Sequence, residues 1–219
     1  MKKHAIMLSA CLALSAGAAS AQGKIEAGIQ VGPGVASLWG NDVIRKFHHA
    51  GFSLPAGIFV QYNFSERFAL RVDPGFERKG SAVRAVVIDE NGNTVAEPVT
   101  RLGLDYLVLP VLFRATFGQK HKFFVNAGPY AAYLLKYNVT TRHQNFPPPN
   151  LGDISSYKRA DFGVTLGIGT LIPVSERLAV SLEVRNNIGL RDINTKPIVN
   201  DGRINTYSAN LLGGVSWSL

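Results

Sequence analysis

Arg177-Leu178-Ala179-Val180-Ser181-Leu182-Glu183-Val184-Arg185-Asn186-Asn187-Ile188-Gly189-Leu190 alternates along its whole length. Leu178, Val180, Leu182, Val184, Ile188 and Leu190 share one side with Asn186, while Arg177, Ser181, Glu183, Arg185 and Asn187 share the other with Ala179 and Gly189. Successive side chains of an extended chain point to opposite faces, so a period of two marks a strand with one apolar and one polar face.

The same period recurs on both sides of this stretch. Ala160, Phe162, Val164, Leu166, Ile168 and Ile172 oppose Arg159, Asp161, Gly163, Thr165, Gly167 and Gly169. Phe123, Val125, Ala127, Pro129, Ala131, Tyr133, Leu135 and Tyr137 oppose Lys122, Asn126, Gly128, Tyr130 and Lys136, and Tyr207, Ala209, Leu211, Val215, Trp217 and Leu219 oppose Ser208, Asn210, Gly214, Ser216 and Ser218. In the first half, Ile25 to Val35 and Phe52 to Phe64 alternate likewise, and Phe68, Leu70, Val72 and Phe76 face away from Arg71, Asp73, Gly75, Glu77 and Lys79. The run from 102 to 116 is the least regular. Leu104, Tyr106, Val108, Pro110 and Leu112 mark one face there, but the Asp105 face also carries Leu107, Leu109, Val111 and Phe113. Eight strands result.

Their connections alternate in length. Tight turns fall near Ser65-Glu66, Gly118-Gln119-Lys120 and Val174-Ser175-Glu176; longer loops cover about 40–51, 80–101, 138–157 and 191–205 and hold Asn91-Gly92-Asn93, Pro147-Pro148-Pro149 and Asp201-Gly202, all turn chemistry. Val83 to Ile88 and Thr94 to Val99 are expected to extend the second loop into a hairpin. An even number of strands with alternating short and long links is an up-and-down meander, and closure into a barrel removes its exposed edges.

Two barrels fit such a meander. A soluble lipocalin-like barrel turns its apolar face inward, whereas an outer-membrane barrel turns it to lipid and keeps a polar interior. Glycine favours the second: Gly28, Gly32, Gly34, Gly163, Gly167 and Gly169 lie on the polar face, where crowding in a narrow interior would call for them. Tyr62, Tyr106, Tyr133, Tyr137, Tyr207 and Trp217 lie on apolar faces near strand ends, as membrane-interface aromatics do. The fold class expected is all-β, an eight-stranded antiparallel up-and-down transmembrane β-barrel.

The start of the chain reads as an export signal: Lys2, Lys3 and His4, an apolar stretch from Ala5 to about Ala16, then Ala19-Ser20-Ala21 before Gln22, an A-x-A-like cleavage site. Cleavage between Ala21 and Gln22 divides the chain into a signal peptide, 1–21, and a barrel domain, 22–219. The rival reading, lipidation at Cys11, leaves an apolar run shorter than the ~7–15 residues of a normal signal. Lys2 and Lys3 leave with the signal, so the formal net charge of +8 falls by two to +6. The only cysteine, Cys11, and both methionines leave as well, which excludes disulfides, thiolate metal sites and a cysteine nucleophile. Charged residues are 17% of the chain against a typical ~25%, and 22 glycines exceed the usual ~7%, a composition unlike that of a helix-rich cytoplasmic enzyme. After the signal no segment offers the ~20 apolar residues of a membrane-spanning helix.

Leu104-Asp105-Tyr106-Leu107-Val108-Leu109-Pro110-Val111-Leu112, Phe123-Phe124-Val125-Asn126-Ala127-Gly128-Pro129-Tyr130, Asp161-Phe162-Gly163 through Gly167-Ile168-Gly169, and Arg185-Asn186-Asn187-Ile188-Gly189-Leu190 follow one another in an order that resembles the PorT-like outer-membrane β-barrel family of Bacteroidota. The resemblance covers essentially the whole mature chain. It implies an eight-stranded barrel in the outer membrane of a Gram-negative cell, reached after Sec export; for a few relatives it implies a part in protein secretion or gliding, a role not carried over to this chain.

Nothing in the sequence points to catalysis or a cofactor. His48, His49, His121 and His143 lie away from any mid-strand serine or carboxylate, and adjacent His48 and His49 point apart on an extended chain. There is no nucleophile with its base, Walker loop, zinc spacing or dinucleotide fingerprint. Instead Arg71, Asp73, Glu77, Asp105, Arg159, Asp161, Glu183 and Arg185 are expected inward as a lumen charge network, since confined charges must pair. Eight strands leave room for side chains alone, so a plugged lumen is expected, with a gated ion path as the alternative. Arg84, Arg101, Lys120, Arg142, Lys196 and Arg203 are expected to meet anionic lipid headgroups or lipopolysaccharide phosphate, and nucleic acid is not an expected partner. The leading function is a structural or interaction role, with the long loops offering a surface to a protein partner. A narrow channel, a soluble periplasmic binder and an enzyme follow in that order. Outer-membrane lipid and, through the C-terminal strand, the barrel-assembly machinery are the other expected partners of a monomer.

Overall fold

The computed structural model describes residues 25–40, 48–84, 87–88, 91, 94–96, 99–118, 121–142, 153–195 and 203–219; the expected cleavage site at Ala21 and Gln22 lies outside them. Eight antiparallel strands follow one another. They are β1 (Ile25–Val31, resuming at Gly34–Gly40), β2 (Gly51–Ser53, resuming at Ala56–Asn63), β3 (Phe68–Val72, resuming at Gly75–Arg84), β4 (Val99–Phe117), β5 (Lys122–Arg142), β6 (Ala160–Pro173), β7 (Leu178–Gly189) and β8 (Ile204–Ser218). Each pairs with the next, and β8 returns to β1 through Glu26 with Ser218 and Gly40 with Ile204, so the sheet closes on itself. Val87–Ile88 pairs with Thr94–Ala96, the hairpin expected in the second long loop.

Register fixes the shape. From Ile25 the pairs run through Tyr62, Leu70, Phe113, Ala127, Leu166, Asn186 and Ala209 to Val35. One circuit therefore climbs from residue 25 to residue 35, a stagger that tilts the strands and leaves an interior which side chains can fill.

Alternation then sorts the residues. Ile29, Ile58, Phe113, Leu166, Ile168, Leu182, Val184 and Val215 face out and are exposed, while Arg71, Asn126, Thr165, Glu183, Arg185 and Ser208 face in and are buried. A soluble protein rarely exposes more than a few hundred Å² of contiguous apolar surface. An apolar girdle around a polar interior is the arrangement that lipid selects.

Three inward aromatic rings stand opposite inward glycines: Phe59 faces Gly28, and Tyr130 and Phe124 face Gly163 and Gly169. A β-carbon at any of the three glycines would strike its ring, so the glycine is the space into which the ring folds. Replacing Gly163 with valine is expected to push Tyr130 aside and cost about 1–3 kcal/mol, as overpacking does. Urea unfolding in lipid vesicles checks this, and an unchanged midpoint would contradict it.

Two local features change the expected orientations. Between the pairs of Asp105 with Lys136 and Tyr106 with Leu134 the register slips by one residue, and this bulge leaves Leu135 and Lys136 both exposed. Beyond it the inward positions of β5 become odd, so Tyr137 and Val139 pack against the interior. In β4 the even positions point inward, and from Leu102 to Leu112 they carry apolar side chains into the interior.

Candidate functional site

The lumen is the place where the sequence gathers its unusual chemistry, and it is layered. Nearest the short turns, the pairs Arg71/Asp73 and Glu183/Arg185 each sit two residues apart along extended chain, which places both members on the same face. Arg71 Nε donates to Asp73 Oδ1 at 2.6 Å and Arg71 Nη2 to Gln30 Oε1 at 2.6 Å. Arg185 joins the two pairs, with Nη2 2.8 Å from Asp73 Oδ2 and Nε 2.8 Å from Glu183 Oε1. Asn126 bridges the next cation: it accepts from Arg114 Nε at 2.9 Å and donates to Glu183 Oε1 at 3.0 Å.

Above this layer Glu77 accepts from Ser208 Oγ and Asn210 Nδ2 at 2.6 Å each and from Asn187 Nδ2 at 2.9 Å. Lys79, fully buried, donates to Asp161 Oδ2 and Tyr130 Oη at 3.0 Å each, and Thr206 Oγ1 donates to the same carboxylate oxygen at 2.7 Å. Three of the cations also lie over rings: Arg71 at 3.5 Å from the Phe59 centroid, Arg114 at 3.9 Å from Phe124 and Lys79 at 4.1 Å from Tyr130. These are the rings that fold against glycine, so small residue, ring and cation form one stack in three places.

Among the described residues the buried cations are Arg71, Lys79, Arg114 and Arg185 and the buried anions Asp73, Glu77, Asp161 and Glu183. Four charges of each sign leave the interior neutral, the condition under which burial of charge is tolerable.

Toward the long loops the interior turns apolar. Leu38, Leu102, Leu104, Tyr106, Val108, Leu134, Ile193 and Ile204 form one cluster with Tyr130 and Tyr157. Two loop segments bring Tyr157 and Ile193 over the mouth. Asp153 caps the short 3₁₀ turn Ile154–Ser156, Lys158 N donates to Ile193 O at 2.6 Å, and Thr195 N donates to Ser156 O at 3.1 Å. Asp192 fastens the same corner, accepting from Ile204 N at 3.0 Å and Asn194 N at 3.1 Å. Partial burial works against its charge, but these amides and the Lys158 ammonium outweigh it and hold the Asp192 carboxyl below the usual range.

Arg71, Asp73, Glu77, Asp161, Glu183 and Arg185 stand together in this interior. Two residues expected with them do not. Asp105 faces outward, paired with Arg78 at 2.5 Å and accepting from Asn138 at 3.2 Å, because β4 gives its inward positions to Leu104 and Tyr106. Arg159 precedes the first residue of β6 and is exposed at the mouth, donating to Leu134 O at 3.1 Å.

The aromatics divide similarly. Tyr62, Tyr133 and Trp217 are outward and exposed, and Tyr207 is outward with its hydroxyl donating to Asn186 at 2.7 Å. Tyr62 and Trp217 lie toward the short turns, Tyr133 and Tyr207 toward the long loops. Tyr106 is instead fully buried inside, and Tyr137 is turned in by the bulge to stack on Tyr157 at 5.7 Å; neither meets lipid. Sequence reasoning missed Lys79 and Arg114. Lys79 shares the parity of Arg71, Asp73 and Glu77 and was legible; Arg114 follows Leu104 to Leu112 in parity and was hidden by that apolar run.

Residues 17–194 match the family model described as outer membrane protein beta-barrel domain. Among solved structures, Neisserial surface protein A from Neisseria is similar at a TM-score of 0.50 and 12% identity, over 88% of this chain and 97% of that one. The outer membrane protein OprG of Pseudomonas aeruginosa gives 0.46 and 8%, over 90% and 98%, and Ail, the attachment invasion locus protein of Yersinia pestis, 0.42 and 7%, over 89% and 98%. No curated protein matches the chain.

Proposed function

The chain belongs to the outer membrane protein beta-barrel domain family, and from that premise we propose a structural or interaction role in which a closed barrel holds long loops at the cell surface for a protein partner. The observation that carries this reading is the lumen. Its charges neutralise one another, Ile193 and Tyr157 cover its mouth, and the cavity lined in part by Gln30, Asp73, Glu77 and Arg185 measures ≈ 40 Å³, room for a few waters.

The protein sits in the outer membrane of a Gram-negative cell, as its family does. Within that frame we assign it to the PorT-like branch of Bacteroidota, exported by Sec with cleavage after Ala21, inserted by the barrel-assembly machinery through β8, and working as a monomer without catalysis. The ordered motifs from Leu104 to Leu190 support the branch.

In a planar bilayer the purified protein is expected to show no steady conductance. A stable ohmic current through single molecules would contradict the plugged lumen and favour a channel.

A further inference from the structure

The lumen layer nearest the short turns holds more cations than anions. Its buried guanidiniums are Arg71, Arg114 and Arg185, and its buried carboxylates are Asp73 and Glu183. Every oxygen of those two carboxylates is already in use. Asp73 Oδ1 accepts from Arg71 Nε at 2.6 Å, and Asp73 Oδ2 from Arg185 Nη2 at 2.8 Å and Gln30 Nε2 at 3.2 Å. Glu183 Oε1 accepts from Arg185 Nε at 2.8 Å and Asn126 Nδ2 at 3.0 Å, and Glu183 Oε2 from Arg185 Nη2 at 2.8 Å.

Arg114 is the cation left over. Its Nε donates to the neutral Asn126 at 2.9 Å. Its Nη2 lies 4.0 Å from Glu183 Oε2, beyond hydrogen-bond reach, and is buried with no hydrogen-bond partner among the described residues. Arg71 and Arg185 act on it as like charges. The acid that balances the sum, Glu77, stands in the layer above, held by the neutral donors Ser208, Asn210 and Asn187. A buried charge that is neither closely paired nor fully hydrogen-bonded is costly, and a guanidinium does not shed its proton to escape that cost.

Phe124 covers one face of the group, with its ring centroid 3.9 Å from Arg114 Cζ. Guanidinium N–H groups lie in the guanidinium plane, so the ring does not block a ligand that approaches Nη2 edge-on.

We propose that Arg114 Nη2 holds a small monovalent anion of the halide class. One negative charge cancels the excess of one guanidinium over the carboxylates of the layer, which a dianion would overshoot. Water would supply an acceptor and leave the charge uncancelled. The site belongs to the lumen alone and does not depend on what the long loops contact.

Crystals of the full barrel grown in sodium bromide test this directly, through the anomalous scattering of bromine. Wild type is expected to show a bromide peak at hydrogen-bonding distance from Arg114 Nη2, and Arg114→Gln none. In lipid vesicles, with gluconate replacing chloride at constant ionic strength, a tenfold rise in chloride above its dissociation constant is expected to raise the wild-type urea midpoint by about 0.5–1 M. Arg114→Gln should not respond. Arg191→Gln, which removes an exposed cation outside the lumen, should respond as wild type does and so separates binding at the site from general screening. No bromide peak at Nη2 in wild type, as when water fills the position, would overturn the site, and so would a chloride response that persists in Arg114→Gln. If that variant fails to insert, the wild-type bromide peak still decides.

Discussion

Replacing Arg185 with leucine is expected to destabilise the barrel by about 3–5 kcal/mol, the usual result of removing one partner from a buried ion pair. Arg185 touches both carboxylates of its layer, Asp73 and Glu183. Asp73 would keep Arg71 at 2.6 Å, whereas the ion pair left to Glu183 among the described residues is Arg114 at 4.0 Å, beside the Asn126 amide at 3.0 Å. The damage should thus concentrate on Glu183. Adding Glu183→Gln to the Arg185→Leu variant is expected to restore part of the loss, because it removes the stranded charge. Urea titration in lipid vesicles, read through Trp39 and Trp217, measures both; equal midpoints for wild type and single variant would show that the network contributes nothing to folding.

Leu166→Arg tests the opposite face. Leu166 lies near the middle of the outward apolar run from Phe162 to Ile172 in β6 and is 46% exposed. A cation there, at the bilayer midplane, costs about 2–4 kcal/mol, while Leu166→Ala should cost far less. Were the outer surface wetted by water, the same arginine would fall within about 0.5 kcal/mol of wild type, as ordinary surface substitutions do. The size of this one effect therefore reports what the apolar girdle touches.

The strands were legible because one face meets lipid and the other a polar interior, so alternation from Arg177 to Leu190 is unbroken. Legibility failed where that contrast failed. In β4 the upper lumen is apolar, and Leu104, Tyr106 and Val108 inside stand beside Leu107 and Leu109 outside; parity alone then assigns Asp105 and Tyr106 to the wrong sides. At Leu135 and Lys136 a single extra residue inverts the alternation, and no local sequence feature marks it, so Tyr137 reads as a continuation of the lipid face. Ile193 and Tyr157 reach the mouth through loop contacts, which periodicity does not encode. The six charges that did converge come from strands whose two faces differ most.

The closed barrel presents its apolar face to the outer membrane. Its most direct test is fractionation of the tagged protein followed by gel mobility before and after boiling, since closed barrels resist detergent until heated. A closed membrane barrel gives an outer-membrane band whose mobility shifts on heating. A soluble band with unchanged mobility would contradict it.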